Sequence, residues 1–233
     1  MTGTSNTATG VTALYSNTTG SSDTASGVYA LYSNTTGSDD TASGAYVLSY
    51  NTTGSFNTAS GAVALNSNTT GSDNTGNGAF VLRHNTTGSS NTASGAFGLY
   101  SVTTGSSNTA SGDYALYSNT TGASNTADGS YALYSKTTGA SNTASGADAL
   151  YNNTTGSFNV ALGVGAGPDP TTPALTNSTA IGAFADVLQS NALVLGSTAV
   201  QNGIANVFVG IDVGNPSNIL TVLKGGGDAI ADG

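Results

Sequence analysis

The sequence predicts an all-β tandem-repeat protein in which each repeat forms one coil of a β-solenoid. Glycine recurs at every seventeenth position from Gly10 to Gly163, and one leucine occupies the same place in each repeat. Residues that favour surface helices are scarce, because charged side chains make up 6% of the chain and all twelve acids are Asp. Strict periodicity of the apolar residue argues against a disordered low-complexity chain.

Nine repeats without insertion or deletion run from Asn6 to Phe158, within a region spanning residues 1–158. Their consensus is N-T-A-S-G-x-x-A-L-Y-S-N-T-T-G-S-S, and its places are numbered 1 to 17 below. This period is too short for helix-pair repeats and suits a coil of two short strands and two corners. Nine coils stacked at about 4.8 Å would form a rod roughly 43 Å long. The ninth-place leucines are the predicted core stack: Leu14, Leu31, Leu48, Leu65, Leu82, Leu99, Leu116, Leu133 and Leu150.

Two further features of the repeat predict its corners. The Thr-Thr-Gly triplet, first seen at Thr18–Gly20, reads as a strand that enters a corner where glycine takes a positive φ. The Asn at the first place is a turn residue, and stacking would align these side chains in a ladder. Asp replaces this Asn at positions 23 and 40, where we expect a solvated turn.

The pattern changes after Asn159. Residues 159–176 are predicted to form a transition unit and a proline-containing loop, residues 177–210 fourteen-residue repeats, and residues 211–233 a turn, a strand and a glycine-rich exit. The second and fourth places become apolar here, and we expect these side chains to point inward: Val160, Leu162, Leu193, Leu195, Val207 and Val209. In the nine repeats the same places hold Thr and Ser, which either face solvent or line a hydrated seam.

Composition excludes several classes of function. The chain has no Cys and a single His, so thiolate chemistry, disulfides and multi-histidine metal sites are ruled out, and we expect no cofactor. A net charge of −9 with three Lys and Arg residues argues against nucleic-acid binding and against a polybasic membrane patch. We expect no membrane insertion by this segment.

The fourteen-residue units (Asn177–Gly182, then Ser190–Gly196) resemble the head repeats of trimeric autotransporter adhesins. The seventeen-residue units resemble a variant common in bacterial and phage tail-fibre-like proteins that usually end in an intramolecular chaperone domain. This resemblance implies a left-handed parallel β-roll, a side-by-side homotrimer and display outside the cell or on a virion. The chain departs from the family in showing no chaperone domain, anchor or signal peptide, which predicts a trimmed fragment or a processed product.

Aromatic columns and one cationic pair are the candidate binding residues. We interpret the seventh-place aromatics (Tyr29, Tyr46, Phe80, Phe97, Tyr114 and Tyr131) as packing residues that share strand parity with the leucine. The tenth-place tyrosines form a candidate exposed or interfacial ladder: Tyr15, Tyr32, Tyr100, Tyr117, Tyr134 and Tyr151. Arg83 and His84 form the adjacent cationic pair, which is either repeat drift on the surface or a recognition spot.

The sequence supports catalytic and metal-binding groups less well than it supports the aromatic binding columns. A regular solenoid lacks the cleft that a carboxylate pair for glycoside hydrolysis would need, although Asp113, Asp128 and Asp148 are available. Calcium binding by Asp23, Asp39 and Asp40 stays open as an alternative.

The leading hypothesis is therefore a non-catalytic structural or adhesive fibre segment that presents a repetitive surface to a glycan or protein receptor. One alternative is an ice-binding solenoid that uses the Thr and Ser columns, provided that these side chains point outward. The last candidate function is that of a polysaccharide depolymerase.

Overall fold

One short strand from each coil contributes to a single continuous sheet. The computed structural model describes residues 2–196, and the predictions made for residues 197–233 lie outside this range. Each strand has three residues. The twelve strands are β1 Thr7–Thr9, β2 Thr24–Ser26, β3 Thr41–Ser43, β4 Thr58–Ser60, β5 Thr75–Asn77, β6 Thr92–Ser94, β7 Thr109–Ser111, β8 Thr126–Asp128, β9 Thr143–Ser145, β10 Val160–Leu162, β11 Thr179–Ile181 and β12 Leu193–Leu195.

The strands follow each other across the sheet in chain order, and every pair is parallel. Thr7 pairs with Thr24, so one coil advances the chain by seventeen residues. Residues 2–196 contain no helix. The predicted all-β, parallel β-solenoid with seventeen-residue coils is confirmed, whereas the left-handed sense and the trimer remain predictions.

The last coils change length where the sequence pattern changes. Val160 pairs with Thr179, nineteen residues later, and the additional residues fall in the proline-containing segment. Thr179 then pairs with Leu193, fourteen residues later. The sheet therefore continues in register through both kinds of repeat.

The side of the coil opposite the strand is a chain of turns, so the expectation of two strands per coil is wrong. Residues at the seventh and ninth places have positive φ, for example 57° at Phe80 and 51° at Leu82. Left-handed non-glycine residues are unfavourable in isolation. Here each turn is hydrogen-bonded to the next coil, as from Leu82 N to Gly98 O at 3.0 Å, and the repetition of these bonds holds the conformation.

Small and branched apolar residues fill the interior. The third-place alanines of β2 and its neighbours, such as Ala25 and Ala42, and the eighth-place residues, such as Ala30 and Val47, are buried. All nine ninth-place leucines are also buried; Leu14, in the first coil, is 4% exposed and the others are at most 1% exposed. The interior of the repeats is therefore one leucine column packed against two columns of smaller apolar residues.

The two series of invariant glycines are required for different structural reasons. Gly10 and its equivalents have φ between 118° and 142°, which favours glycine. The glycine of Thr-Thr-Gly does not have positive φ, so that prediction is wrong. At Gly88 the reason is space, because a Cβ would lie 2.3 Å from Gly105 O and 2.4 Å from Asn85 Oδ1.

Candidate functional site

A buried ladder of asparagines lies at the first place of the repeats. In the coil that begins at Asn74, the amide Nδ2 donates to Asn57 Oδ1 at 3.1 Å and to Gly88 O at 2.9 Å, and the backbone N also donates to Asn57 Oδ1. The same pattern repeats from Asn91 to Asn159. These side chains are structural, because every one of them links two neighbouring coils.

Asp23 and Asp40 occupy two positions of this ladder and are fully buried, so the expectation of solvated turns is wrong. Asp40 Oδ1 accepts from the backbone and side chain of Asn57, and its Oδ2 accepts from Asn51 Nδ2 at 3.0 Å. Burial raises the pKa of Asp40 to about 7 and that of Asp23 to about 6, and the hydrogen bonds offset only part of this effect. The Asp pair therefore belongs to the core.

A second buried ladder lies at the twelfth place and is interrupted twice. Asn85 Nδ2 donates to Asn68 Oδ1 at 2.8 Å, as in the coils before it. Val102 replaces the next Asn, which leaves Asn85 Oδ1 without a partner in the described chain. Lys136 also replaces an Asn; its buried Nζ donates to Gly156 O, and burial lowers its pKa to about 8.

The second- and fourth-place side chains of β1 to β9 lie on one side of the sheet, which we call the hydroxyl face. In β2 to β8 both places are exposed while the Ala or Gly between them is buried. In-register parallel pairing aligns Thr with Thr and Ser with Ser, as in Thr92 with Thr109. The second-place Thr hydroxyls therefore form an unbroken column spaced about 4.8 Å along the rod, and the fourth-place column, about 6.6 Å away, is interrupted by Asn77 and Asp128.

The same face becomes largely apolar in its last three strands, where Thr179 is the one polar outward residue, and the inward orientation expected for the apolar residues is wrong. Val160 and Leu195 are half-buried, Leu162 is 40% exposed and Leu193 is 63% exposed. Strand alternation explains the result, because the small middle residues Ala161 and Ala180 point inward. Val207 and Val209 lie outside the described residues.

The aromatic residues stack along the rod in two neighbouring columns. Tyr100 and Tyr117 have centroids 5.1 Å apart and planes within 7°, and Phe97 and Tyr114 are 4.9 Å apart. The tenth-place tyrosines of the later coils are half-buried, and Tyr15 is 69% exposed. The seventh-place aromatics do not share the leucine's environment, although both places have positive φ: they are half-buried or exposed, as Tyr46 is at 46%, whereas the leucines are buried.

Arg83 replaces a tyrosine of the tenth-place column, His84 follows it at the eleventh place, and both pack against neighbouring rings. Arg83 lies over the Phe80 and Tyr100 rings, and its Nη1 donates to the Tyr100 hydroxyl at 2.8 Å. His84 contacts Tyr100 edge-on at 4.8 Å, and burial, followed by the Arg83 charge, lowers the pKa of His84. The guanidinium is therefore held in place at the edge of an aromatic surface.

A cavity of about 370 Å³ lies where the tyrosine column is missing. We call it the tyrosine notch. It is lined by Tyr29, Tyr32, Tyr46, Ser49, Tyr50, Val63, Asn66 and Arg83. Three consecutive coils carry Ser49, Asn66 and Arg83 at the tenth place, so the sequence contains the signal for this cavity, although the cavity was not predicted from it.

The remaining candidate carboxylates do not form a catalytic or metal-binding cluster in the described range. Asp113 is exposed and accepts from Ala96 N at 2.8 Å, Asp128 lies on the hydroxyl face, and Asp148 is exposed at the seventh place. No group of three His, Cys, Asp or Glu side chains in residues 2–196 is arranged to hold a metal ion. Asp23, Asp39 and Asp40 therefore do not converge on a calcium site.

Comparisons with known proteins provide no assignment. No protein-family model, curated protein or solved structure matches the chain. Across residues 2–196, no helix has the length and apolar character needed to span a membrane.

Proposed function

We propose that this chain is a non-catalytic structural and adhesive segment of a fibre, displayed outside the cell or on a virion. The observation that carries this proposal is the repetition of the same aromatic side chains at one-coil intervals, as in the Tyr100–Tyr117–Tyr134–Tyr151 stack. A phenol combines an apolar face with a polar tip and suits contact with glycans or proteins. Many identical weak contacts on one rigid support add up to firm attachment.

The proposed assembly is a side-by-side homotrimer. The apolar end of the sheet supports it, because Leu162, Ile181 and Leu193 lie on one face of one chain and are 38–63% exposed. Association would remove these side chains from water. Sedimentation equilibrium should give three times the chain mass of 22.6 kDa, and a stable monomer at micromolar concentration would exclude the trimer.

Adhesion is tested by removing whole coils. Deletion of residues 108–158 removes three complete repeats and joins Ser107 to Asn159 in the consensus register. Retention on bacterial cells and on their purified envelope polysaccharides should fall more than threefold, because multivalent binding depends steeply on the number of contacts.

A full-length variant separates adhesion from rod length. Tyr117→Asn, Tyr134→Asn and Tyr151→Asn together place at the tenth position the residue that Asn66 already supplies there. This variant should lose retention as the deletion does. Undiminished retention in both proteins would contradict the adhesive role.

Ice binding is the second candidate, and the outward orientation of the hydroxyl face favours it. The column of exposed second-place Thr hydroxyls is unbroken from β1 to β9, and hydroxyl groups at such regular spacing can hold water in an equally regular arrangement. Thermal hysteresis should then be lost in Thr92→Tyr with Thr109→Tyr and kept in Thr87→Tyr with Thr104→Tyr, whose exposed side chains lie outside the strands. Absence of hysteresis in the unmodified protein would dispose of this candidate.

The two functions make opposite demands on one surface. A trimer that uses the apolar end of the sheet would bring the hydroxyl faces of its chains toward each other, whereas ice binding needs that face open. The mass measurement and the hysteresis measurement together therefore distinguish them.

A further inference from the structure

We propose that the tyrosine notch binds a short oligosaccharide that carries a carboxylate group. This inference rests on the proposed adhesive function and assigns to it one specific site. It starts from the interruption of the tenth-place column between Tyr32 and Tyr100, which are four coils and about 19 Å apart.

The walls of the notch suit the faces of sugar rings. Tyr50 stands at the eleventh place, one residue later than the consensus Tyr, and is 58% exposed; Tyr46 is 46% exposed. Between them Ser49 is buried, so the floor lies below the level of the rings. Aromatic faces flanking a recess provide an apolar surface for the C–H groups of a sugar, and the phenol hydroxyls serve its polar edge. The volume of about 370 Å³ falls within the range of small-molecule sites.

Arg83 gives the notch its preference for an acidic sugar. Its guanidinium is fixed over the Phe80 and Tyr100 rings, and its side-chain hydrogen bond within the described chain goes to the Tyr100 hydroxyl and not to a carboxylate. A planar guanidinium presents paired donors that match a carboxylate. No Asp lines the notch, although the whole chain carries a net charge of −9. A bound carboxylate therefore meets a positive group without a competing negative one.

The experiment measures the affinity of the full chain for sialyllactose and for oligogalacturonate by calorimetry, with lactose and the methyl-esterified oligogalacturonate as neutral counterparts. The unmodified protein should bind each acidic sugar at least tenfold more tightly than its counterpart. Arg83→Gln should remove this preference.

A pair of matched variants keeps the test independent of folding. Ser49→Tyr with Tyr50→Ser restores the consensus in the coil that forms the notch, and it should abolish binding while leaving the melting temperature unchanged or higher. Thr121→Tyr adds a tyrosine at an exposed fourteenth place in a distant coil, outside both aromatic columns, and should bind as the unmodified protein does. Equal affinity for acidic and neutral sugars, a preference retained in Arg83→Gln, or binding by the consensus variant would each overturn the proposal.

The sugar-binding test of the notch and the retention test of the adhesive rod can fail independently of each other. Failure of sugar binding together with loss of retention in the coil deletion would reject the notch and leave the rod in place. Sugar binding together with undiminished retention would reject the adhesive rod and keep the notch.

Discussion

At the scale of single residues, the repeat is explained by contacts between coils more than by the preferences of isolated residues. Gly88 has no need of a left-handed backbone, and Leu82 adopts one without being glycine. The invariant glycine of Thr-Thr-Gly makes room for the carbonyl of the next coil and for the buried Asn amide. The sequence identified the invariant places of the repeat, but the structural reason predicted for several of them, such as positive φ at Gly88, was wrong.

Gly88→Ala should destabilise the protein by about 1–3 kcal/mol, because the new Cβ would lie closer than 2.5 Å to a backbone oxygen and to an oxygen of the asparagine ladder. Gly98→Ala is the matched control: its Cβ would meet no atom closer than 3.5 Å, and Ala is the consensus at that place. Urea denaturation of both variants measures the difference. Equal stability of the two variants would show that the coils do not approach as closely as described.

The buried Asp pair predicts that stability falls as pH rises. Burial raises the pKa of Asp40 to about 7, above its ordinary value of 3.8, so the folded chain holds the proton more tightly than the unfolded chain. The contribution of the protonated form is complete below about pH 4 and is lost as the pH rises through about 7.

Asp40→Asn should therefore raise the free energy of unfolding at pH 7.5 by about 1–3 kcal/mol and flatten the pH profile between pH 4 and 7.5. Asn is the consensus at this place, and Asp73→Asn, at an exposed seventeenth place, serves as the control. A profile that stays as steep in Asp40→Asn as in the unmodified chain would contradict the burial of this carboxylate.

At the scale of elements, the coil is a three-residue strand followed by hydrogen-bonded turns and two amide ladders. The seventeen-residue period was enough to predict parallel strands and a leucine column. It was not enough to predict which strand face points outward, because Thr, Ser, Val and Leu occupy those places in different coils. Only the small middle residue, Ala25 in β2 or Ala161 in β10, fits the narrow interior.

Val102→Asn should stabilise the rod by about 1–3 kcal/mol, because its amide would supply the missing donor to Asn85 Oδ1 and restore the twelfth-place ladder. Val102→Ala, which removes apolar contacts without adding a donor, should be less stable than the unmodified chain. Thermal unfolding compares the three proteins. A melting temperature for Val102→Asn at or below that of Val102→Ala would show that the ladder does not stabilise adjacent coils.

At the scale of the whole molecule, repetition produces a rod with three surfaces that differ in chemistry: the hydroxyl face, the aromatic columns and the apolar end. The sequence predicted that such columns exist, and the fold showed which of them reach solvent. The notch could not be predicted from the consensus, because it arises where three successive coils depart from it.

The most direct test of the rod is the distance between spin labels placed at equivalent exposed positions in different coils. The chain contains no Cys, so Thr36→Cys can be paired with Thr104→Cys, Thr121→Cys or Thr155→Cys, all at the fourteenth place. Dilution with unlabelled chain keeps the measured distances within one molecule. Four, five and seven coils should give about 19, 24 and 34 Å, rising linearly at about 4.8 Å per repeat. Distances that level off or scatter broadly as repeats are added would contradict the stacked solenoid.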